Sequence, residues 1–334
     1  MRIGRGFNSR DQRPKLKGEV TQEKALKHAE ILSNSVRNKY KHLAKRFRKA
    51  NIECFRLYDW DTSEIRIVVD WYAGHLVVSE YERLQTGPEY LPQMADAVAV
   101  ALNVPKENVH IRTRHTNVEE GPRYTKLASE DKRMEVKEGD LKFLINLTDF
   151  LDTGLFSDHR QTRILIRKMA EGKDFLNLFA YTGAFTCAAA LGNARSIVTV
   201  DRSETYINWT KDNLELNGLW NEKHKLVQAD ALKYLERARK EGIKFDLAFI
   251  DPPSFFKEKA TGADFDINRD HPELINNVLK LMHPGSDILF STNHQRFVPI
   301  FDDIKVKEII QLTPKTIPED YRNRNIHHCW HIKV

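Results

Sequence analysis

The stretch DFLNLFAYTGAFT, residues 174–186, decides the fold. Residues 176–179 are apolar and few, the length of a buried strand. Residues 180–183 read as a turn at its carboxyl end, and residues 184–191 have the small, apolar composition of a packed helix. Strand, glycine turn and helix in that order make the first crossover of a doubly wound α/β sheet. In such sheets ligands sit beyond the carboxyl ends of the strands. Gly183 suits a point where backbone approaches a ligand closely.

Working outward, strand and helix alternate to the C-terminus. A second strand at 197–200 ends in Asp201, and a helix at 203–216 is closed by Asn217-Gly218. A third strand at 225–228 leads to Asp230, and a helix follows at 231–240. A fourth at 245–250 runs into Asp251-Pro252-Pro253-Ser254-Phe255. Asp270-His271-Pro272-Glu273 has the pattern of a capping box opening the next helix, and His283-Pro284-Gly285 ends it. Residues 288–291 form a fifth strand, and segments near 305–312 and 328–334 pair as an antiparallel edge. The predicted fold class is α/β: a Rossmann-like, seven-stranded, mostly parallel doubly wound sheet with an antiparallel edge, plus a smaller N-terminal α+β domain.

The chain of 334 residues is long enough for two domains. Residues 1–50 carry 15 Lys/Arg against 4 Asp/Glu, and the remainder 38 against 43. So basic a block on a mildly acidic body points to a polyanion, with nucleic acid the first candidate and a solvated arm the plain alternative. Residues 1–20 read as the arm, and 21–50 as one long helix with a basic face. The division is 1–50 for RNA contact, 51–150 for an α+β substrate-orienting domain and 151–334 for the catalytic domain. No apolar run reaches a membrane span, and the N-terminus lacks the apolar core of a secretory signal. Cys54, Cys187 and Cys329 are far apart and odd in number. That argues against disulfides and a zinc knuckle and fits a reducing cytoplasm; no metal is expected.

The chemistry gathers at strand ends. Asp201 lies 18 residues beyond Gly183, where a carboxylate accepts from ribose hydroxyls. Asp230 follows strand three, within reach of an adenine amino group. Asn177, Ala180, Tyr181, Thr182, Arg202 and Ala231 complete the candidate cofactor side. Asp251, Pro252, Pro253 and Phe255 are the candidate catalytic group: two prolines fix the backbone, and a flipped base stacks on an aromatic ring. Each carboxylate alone could be a structural cap. The turn is not G-x-G-x-x-G, so a pyrophosphate cradle is disfavoured and a phosphate-free nucleoside, S-adenosylmethionine, fits better. Asp158-His159 before a helix at 162–169 reads as a cap for that helix rather than an acid–base pair.

On these motifs residues 174–334 resemble the class I S-adenosylmethionine-dependent RNA methyltransferases. The similarity is greatest to the K half of the bifunctional bacterial 23S rRNA enzymes that make 7-methylguanine. It rests on LNLFAYTG (176–183), VDRS (200–203), NLELNGL (213–219), QAD (228–230), FIDPPSF (249–255), FDINRDH (265–271) and NRNIHHCW (323–330), with DTGLFSDHR (152–160) upstream. The resemblance implies that Tyr181, Thr182 and Gly183 flank the methionine part of the cofactor. It implies that Asp201 holds the ribose, Asp230 the adenine, and Asp251 sits by the sulfonium. Pro252 to Phe255 then lie on the target base, Phe156 and His159 close over the cofactor, and Asn293 or Arg296 reads the guanine edge. The partner it implies is 23S rRNA, naked or partly assembled.

The alternative of cytosine C5 needs a thiolate beside the base, and Thr292 stands where that sister family needs cysteine. Guanine N7 offers an in-plane lone pair and no proton, so alignment suffices. An exocyclic nitrogen acceptor, or a non-catalytic RNA assembly factor, remain the other readings.

Overall fold

The computed structural model describes residues 20–81, 83, 85–114, 129–257 and 264–334. The arm expected over residues 1–20 lies outside them but for Val20. Two compact units divide the chain, Met1–Ala44 with Arg56–Val118, and Lys45–Phe55 with Glu119–Val334.

Helix α1 (Gln22–Lys49) is 28 residues long. Ala25, Leu32, Val36, Leu43 and Phe47 are buried along one stripe, while Arg37, Lys41, Lys45, Arg48 and Lys49 face solvent. Ile31, beside that stripe, is 38% exposed. In the first unit β1 (Cys54–Asp59), β2 (Ile67–Tyr72), β3 (His75–Tyr81) and, after α2 (Tyr90–Leu102), β4 (Val109–Arg114) form a sheet in the order β1-β2-β3-β4. β2 and β3 run antiparallel, β3 and β4 parallel.

The second unit opens with the hairpin β5 (Met134–Glu138) and β6 (Leu141–Ile145). Then come α3 (Arg160–Met169), β7 (Asp174–Leu178), α4 (Ala184–Leu191), β8 (Ser196–Asp201), α5 (Glu204–Leu216), β9 (His224–Gln228), α6 (Ala231–Lys240) and β10 (Phe245–Ile250). A short pair follows, β11 (Phe255–Lys257) and β12 (Asp264–Asp266), then α7 (Ile267–Leu279), β13 (Met282–Thr292), β14 (Glu308–Gln311), α8 (Thr313–Thr316) and β15 (His328–Lys333). The main sheet has seven strands in the order β14-β15-β13-β10-β7-β8-β9. β13, β10, β7, β8 and β9 are parallel, and β15 is antiparallel to both neighbours, as the sequence pattern requires. The order reverses between β7 and β10, the switch point at which such sheets bind ligands.

The hairpin goes with this unit because α5 satisfies its backbone. Leu144 N donates to Asn213 Oδ1 and Lys142 N to Asn217 Oδ1, both at 2.8 Å. Helix α3 sends two arginines inward: Arg163 is bidentate on Glu138 at 2.6 Å, and Arg160 grips Asp320 at 3.1 and 3.3 Å.

Two expectations need correction. Helix α7 starts three residues before the expected Asp270, capped by Asp266, whose carboxylate accepts from Asn268 N at 2.8 Å. Pro272 therefore lies inside the helix. His283-Pro284-Gly285 does not end that helix but lies within β13, because Leu281 N closes back on Val278 O first.

Candidate active site

The turn after β7 is held in a demanding conformation. Phe179, Tyr181 and Gly183 have φ of 57°, 51° and 75°. Left-handed backbone costs an L-residue roughly 1–2 kcal/mol, so the surroundings must hold it. Ala180 N donates to Val200 O at 3.2 Å, Tyr181 N to Asp201 Oδ2 at 2.9 Å and Thr182 Oγ1 to Gly154 O at 2.6 Å. Asn213 Nδ2 reaches Thr182 O at 2.9 Å. The Tyr181 ring is wedged between Phe156, 5.1 Å away, and Tyr206, 4.6 Å away.

Beyond the carboxyl ends of β7, β8, β9 and β10 lies a cavity. Ala180, Tyr181, Thr182, Asp201, Arg202, Asp230, Ala231, Asp251, Pro252 and Pro253 all line it. So do Phe156 and His159, together with Asn293. The structure does not bring three predicted residues to that wall. Asn177 is buried under the turn, where its amide donates to Thr186 Oγ1 at 2.9 Å and its Oδ1 lacks a partner. Gly183 answers to helix packing: an added Cβ would lie 2.3 Å from Thr210 Cγ2 on α5. Phe255 is 45% exposed. Successive strand residues face opposite ways, so on β11 it is Phe256 that lines the cavity, stacked on Phe265 at 4.9 Å. The Phe255-Phe256 doublet is visible in the sequence, but which ring turns inward depends on the β11–β12 pairing. Asp152 and Phe249, the first residues of the motifs at 152–160 and 249–255, also line the wall, as does Arg163, which no local sequence signal marks.

The carboxylates differ in their surroundings. Asp201 accepts from Tyr181 N and Ser203 N, both at 2.9 Å, yet burial raises its pKa. Hydroxyl donors or a cation in the cavity would relieve that desolvation. Asp230 caps α6, accepting from Leu232 N at 3.0 Å and Lys233 N at 3.1 Å through one oxygen. The Asp251 carboxyl is pushed up to about 7, chiefly by burial.

His159 holds the N-cap position of α3 with Asp158 before it, yet the His159 side chain does not bond the helix's first amides. Both are buried instead, Asp158 Oδ2 meeting His327 Nδ1 at 2.9 Å. His159 Nε2 stands 3.6 Å from Asp251 Oδ2 and 3.7 Å from Asp158 Oδ2. Burial drives its pKa down to about 3, so the ring is neutral. All three cysteines are buried and none lines the cavity. Burial raises each thiol, Cys187 to about 12.

Four carboxylates, Asp152, Asp201, Asp230 and Asp251, outnumber the guanidiniums of Arg163 and Arg202 on a wall rich in aromatic rings, and oppose a phosphate-bearing ligand. They suit a nucleoside that brings hydroxyl and amino donors and positive charge. Comparison with known proteins agrees. The S-adenosylmethionine-dependent methyltransferase family profile matches residues 56–315. The chain is 42% identical over 313 residues to the ribosomal RNA large subunit methyltransferase K/L of Aeromonas hydrophila, covering 90% of this chain and 43% of that protein. It is 41% identical over 308 residues to the protein of the same name from Syntrophotalea carbinolica, with coverage of 90% and 43%. It thus spans less than half the length of these curated relatives. The crystal structure of SMU.776 complexed with SAH superposes with a TM-score of 0.73 at 24% identity, over 93% of this chain and 82% of that one, which shows a common fold. No helix among the described residues is long and apolar enough to cross a membrane. With the family profile running through both the cavity and the Asp251-Pro252-Pro253 loop, the chain belongs to the S-adenosylmethionine-dependent methyltransferases.

Proposed function

We propose that this chain methylates large-subunit ribosomal RNA at guanine N7. The observation that carries the choice of atom is a cavity reached by carboxylates, aromatic rings and a neutral imidazole, with no thiol on its wall. S-adenosylmethionine supplies the methyl group on a sulfonium, for direct in-line transfer without a covalent enzyme intermediate. The residues present fit it: Asp201 for the ribose hydroxyls, Asp230 for the adenine amino group, and the Ala180-Tyr181-Thr182 backbone for the methionine end. Asn177 and Gly183 support that turn from behind.

Pro252 and Pro253 fix the acceptor loop, and Ser254 Oγ ties it to Asn293 Oδ1 at 2.9 Å. Phe256 takes the stacking place expected of Phe255, with the Arg202 guanidinium over its ring at 5.7 Å. Guanine N7 has no proton to remove, so the protein has only to align it and exclude water. Alignment supplies roughly 7–11 kcal/mol in favourable cases. The cytosine C5 reading lacks its nucleophile, since the cysteines are buried and held as thiols. An exocyclic amino group is the second reading. Asp251, with its pKa near 7, is favourably tuned to take a proton.

Mass mapping of modified nucleosides in 23S rRNA, with and without this protein, tests the proposal. Gain of 7-methylguanine is expected; gain of 5-methylcytosine or an N-methylated amino group instead would overturn it.

The solvent-facing basic side of α1 and the arm before it are proposed to follow the RNA backbone. Deleting residues 1–20 should weaken RNA binding and flatten the dependence of log K on log salt, by roughly 0.7 for each single-stranded phosphate that the arm neutralises. Cofactor affinity should not move. An unchanged salt slope, measured by filter binding, would remove the arm from the interface.

A further inference from the structure

We propose that His159 is a positioning residue for Asp251, holding the carboxylate against the cavity wall, with His327 and Asp158 fixing His159 from behind. This rests on the reading of Asp251 as part of the methyl-transfer site.

The imidazole of His159 is boxed on every side. It stacks on His327 with centroids 4.2 Å apart and planes 14° from parallel. Phe185 and Phe249 meet it edge-on, at 5.6 and 6.2 Å. His327 is itself pinned, Nδ1 to Asp158 Oδ2 at 2.9 Å and Nε2 to Thr316 Oγ1 at 3.0 Å. The box fixes where the ring's single proton goes. Nδ1 of His159 faces the Thr162 hydroxyl at 3.4 Å, and a hydroxyl can donate. Nε2 faces two carboxylate oxygens, which when ionised only accept. With Asp251 ionised, the proton therefore sits on Nε2. Asp158 Oδ2 already takes the His327 N–H, so the His159 N–H is directed to Asp251.

At 3.6 Å the His159–Asp251 approach is a contact rather than a hydrogen bond. Such pairs tighten when a site fills. The same three residues, Asp158, His159 and His327, bring their ligand atoms within 4.8 Å of one another. The stacked rings and the Asp158 and Thr316 bonds to His327 account for that grouping without an ion.

The other groups bearing on Asp251 are few. His327 lowers and Asp158 raises the Asp251 pKa through space, Ser291 from β13 lowers it through its hydroxyl, Cys329 from β15 is held as a thiol by burial, and Arg163 from α3 acts on His159. The His159 N–H would join the Ser291 hydroxyl as a donor that favours the ionised carboxylate.

The test compares His159→Phe, which keeps a ring and loses the N–H, with His159→Gln, which offers an N–H at similar reach. Three quantities are read: S-adenosylmethionine affinity by calorimetry, kcat on 23S rRNA fragments, and the Asp251 carboxyl midpoint by carbon-13 NMR in ligand-free protein. The Phe variant should lose on the order of 10²-fold in kcat. Its cofactor affinity should stay within about twofold, since only the hold on Asp251 is removed. Its Asp251 midpoint should rise, and the Gln variant should restore much of both. Unchanged kcat and midpoint in the Phe variant would overturn the proposal. So would equal loss of cofactor affinity in both variants with the midpoint unmoved, because His159 would then be wall packing alone. If the wild type binds the cofactor but leaves rRNA unmodified, the substrate reading falls, and the NMR midpoint still decides the role of His159.

Discussion

Asp251→Asn should lower methyl transfer by about 10²–10³-fold while making the protein more stable above neutral pH. The first half follows from placement. Asp251 follows β10 beside the switch point, lines the cavity and begins the loop fixed by Pro252 and Pro253. Removing one preorganised electrostatic interaction of this kind costs about 2.7–4 kcal/mol in the transition state. The amide keeps the shape and loses the charge, so the loss should fall on kcat more than on folding.

The second half follows from the sign of the shift. Burial raises the Asp251 pKa from 3.8 to about 7 in the folded protein. Between those values the folded state holds a proton that the unfolded state has released. Stability contributed by this group is therefore full below the unfolded pKa and is lost as pH rises to about 7. Discounted for partial exposure, the loss is about 2 kcal/mol. Asn escapes it, so thermal melts at pH 8 should show the variant about 5 °C above wild type, with the difference vanishing near pH 4. A variant that loses activity but shows no pH-dependent gain would mean that Asp251 is hydrated in solution.

Gly183→Ala should produce a large loss of stability. Its φ of 75° is costly for a residue with a Cβ. The new Cβ would stand 2.3 Å from Thr210 Cγ2, 2.6 Å from Oγ1 and 2.7 Å from Cβ. Trimming Thr210 relieves only part of this, because its own Cβ remains too near. Backbone strain and overpacking together give about 3–5 kcal/mol, a fall of roughly 10 °C in the melting temperature. Because α5 also holds Thr182 O through Asn213, the Ala180-Tyr181-Thr182 wall should move and cofactor affinity should fall with stability. Thermal denaturation with and without S-adenosylmethionine checks both. A stable Gly183→Ala protein would show that α5 can shift freely away from the turn.

The same glycine shows how far the sequence carries. Local pattern alone located the strand–turn–helix at 174–191, the acidic residues at three strand ends and the antiparallel edge, because strand length, apolar runs and turn residues are short-range properties. It also disfavoured a pyrophosphate cradle from one glycine, and weighed against a cysteine nucleophile from three scattered thiols. What it assigned to Gly183, closeness to a ligand, the fold assigns to closeness to Thr210, a residue 27 positions on. Phe256 rather than Phe255 lines the cavity because β11 pairs with β12 in one register and not the other. His159, read as a cap for the next helix, instead meets Asp251 and His327, residues 92 and 168 positions away. Which face a ring turns to, and which buried carboxylate an imidazole N–H finds, are set by packing between segments distant in the chain, and only the tertiary structure decides them.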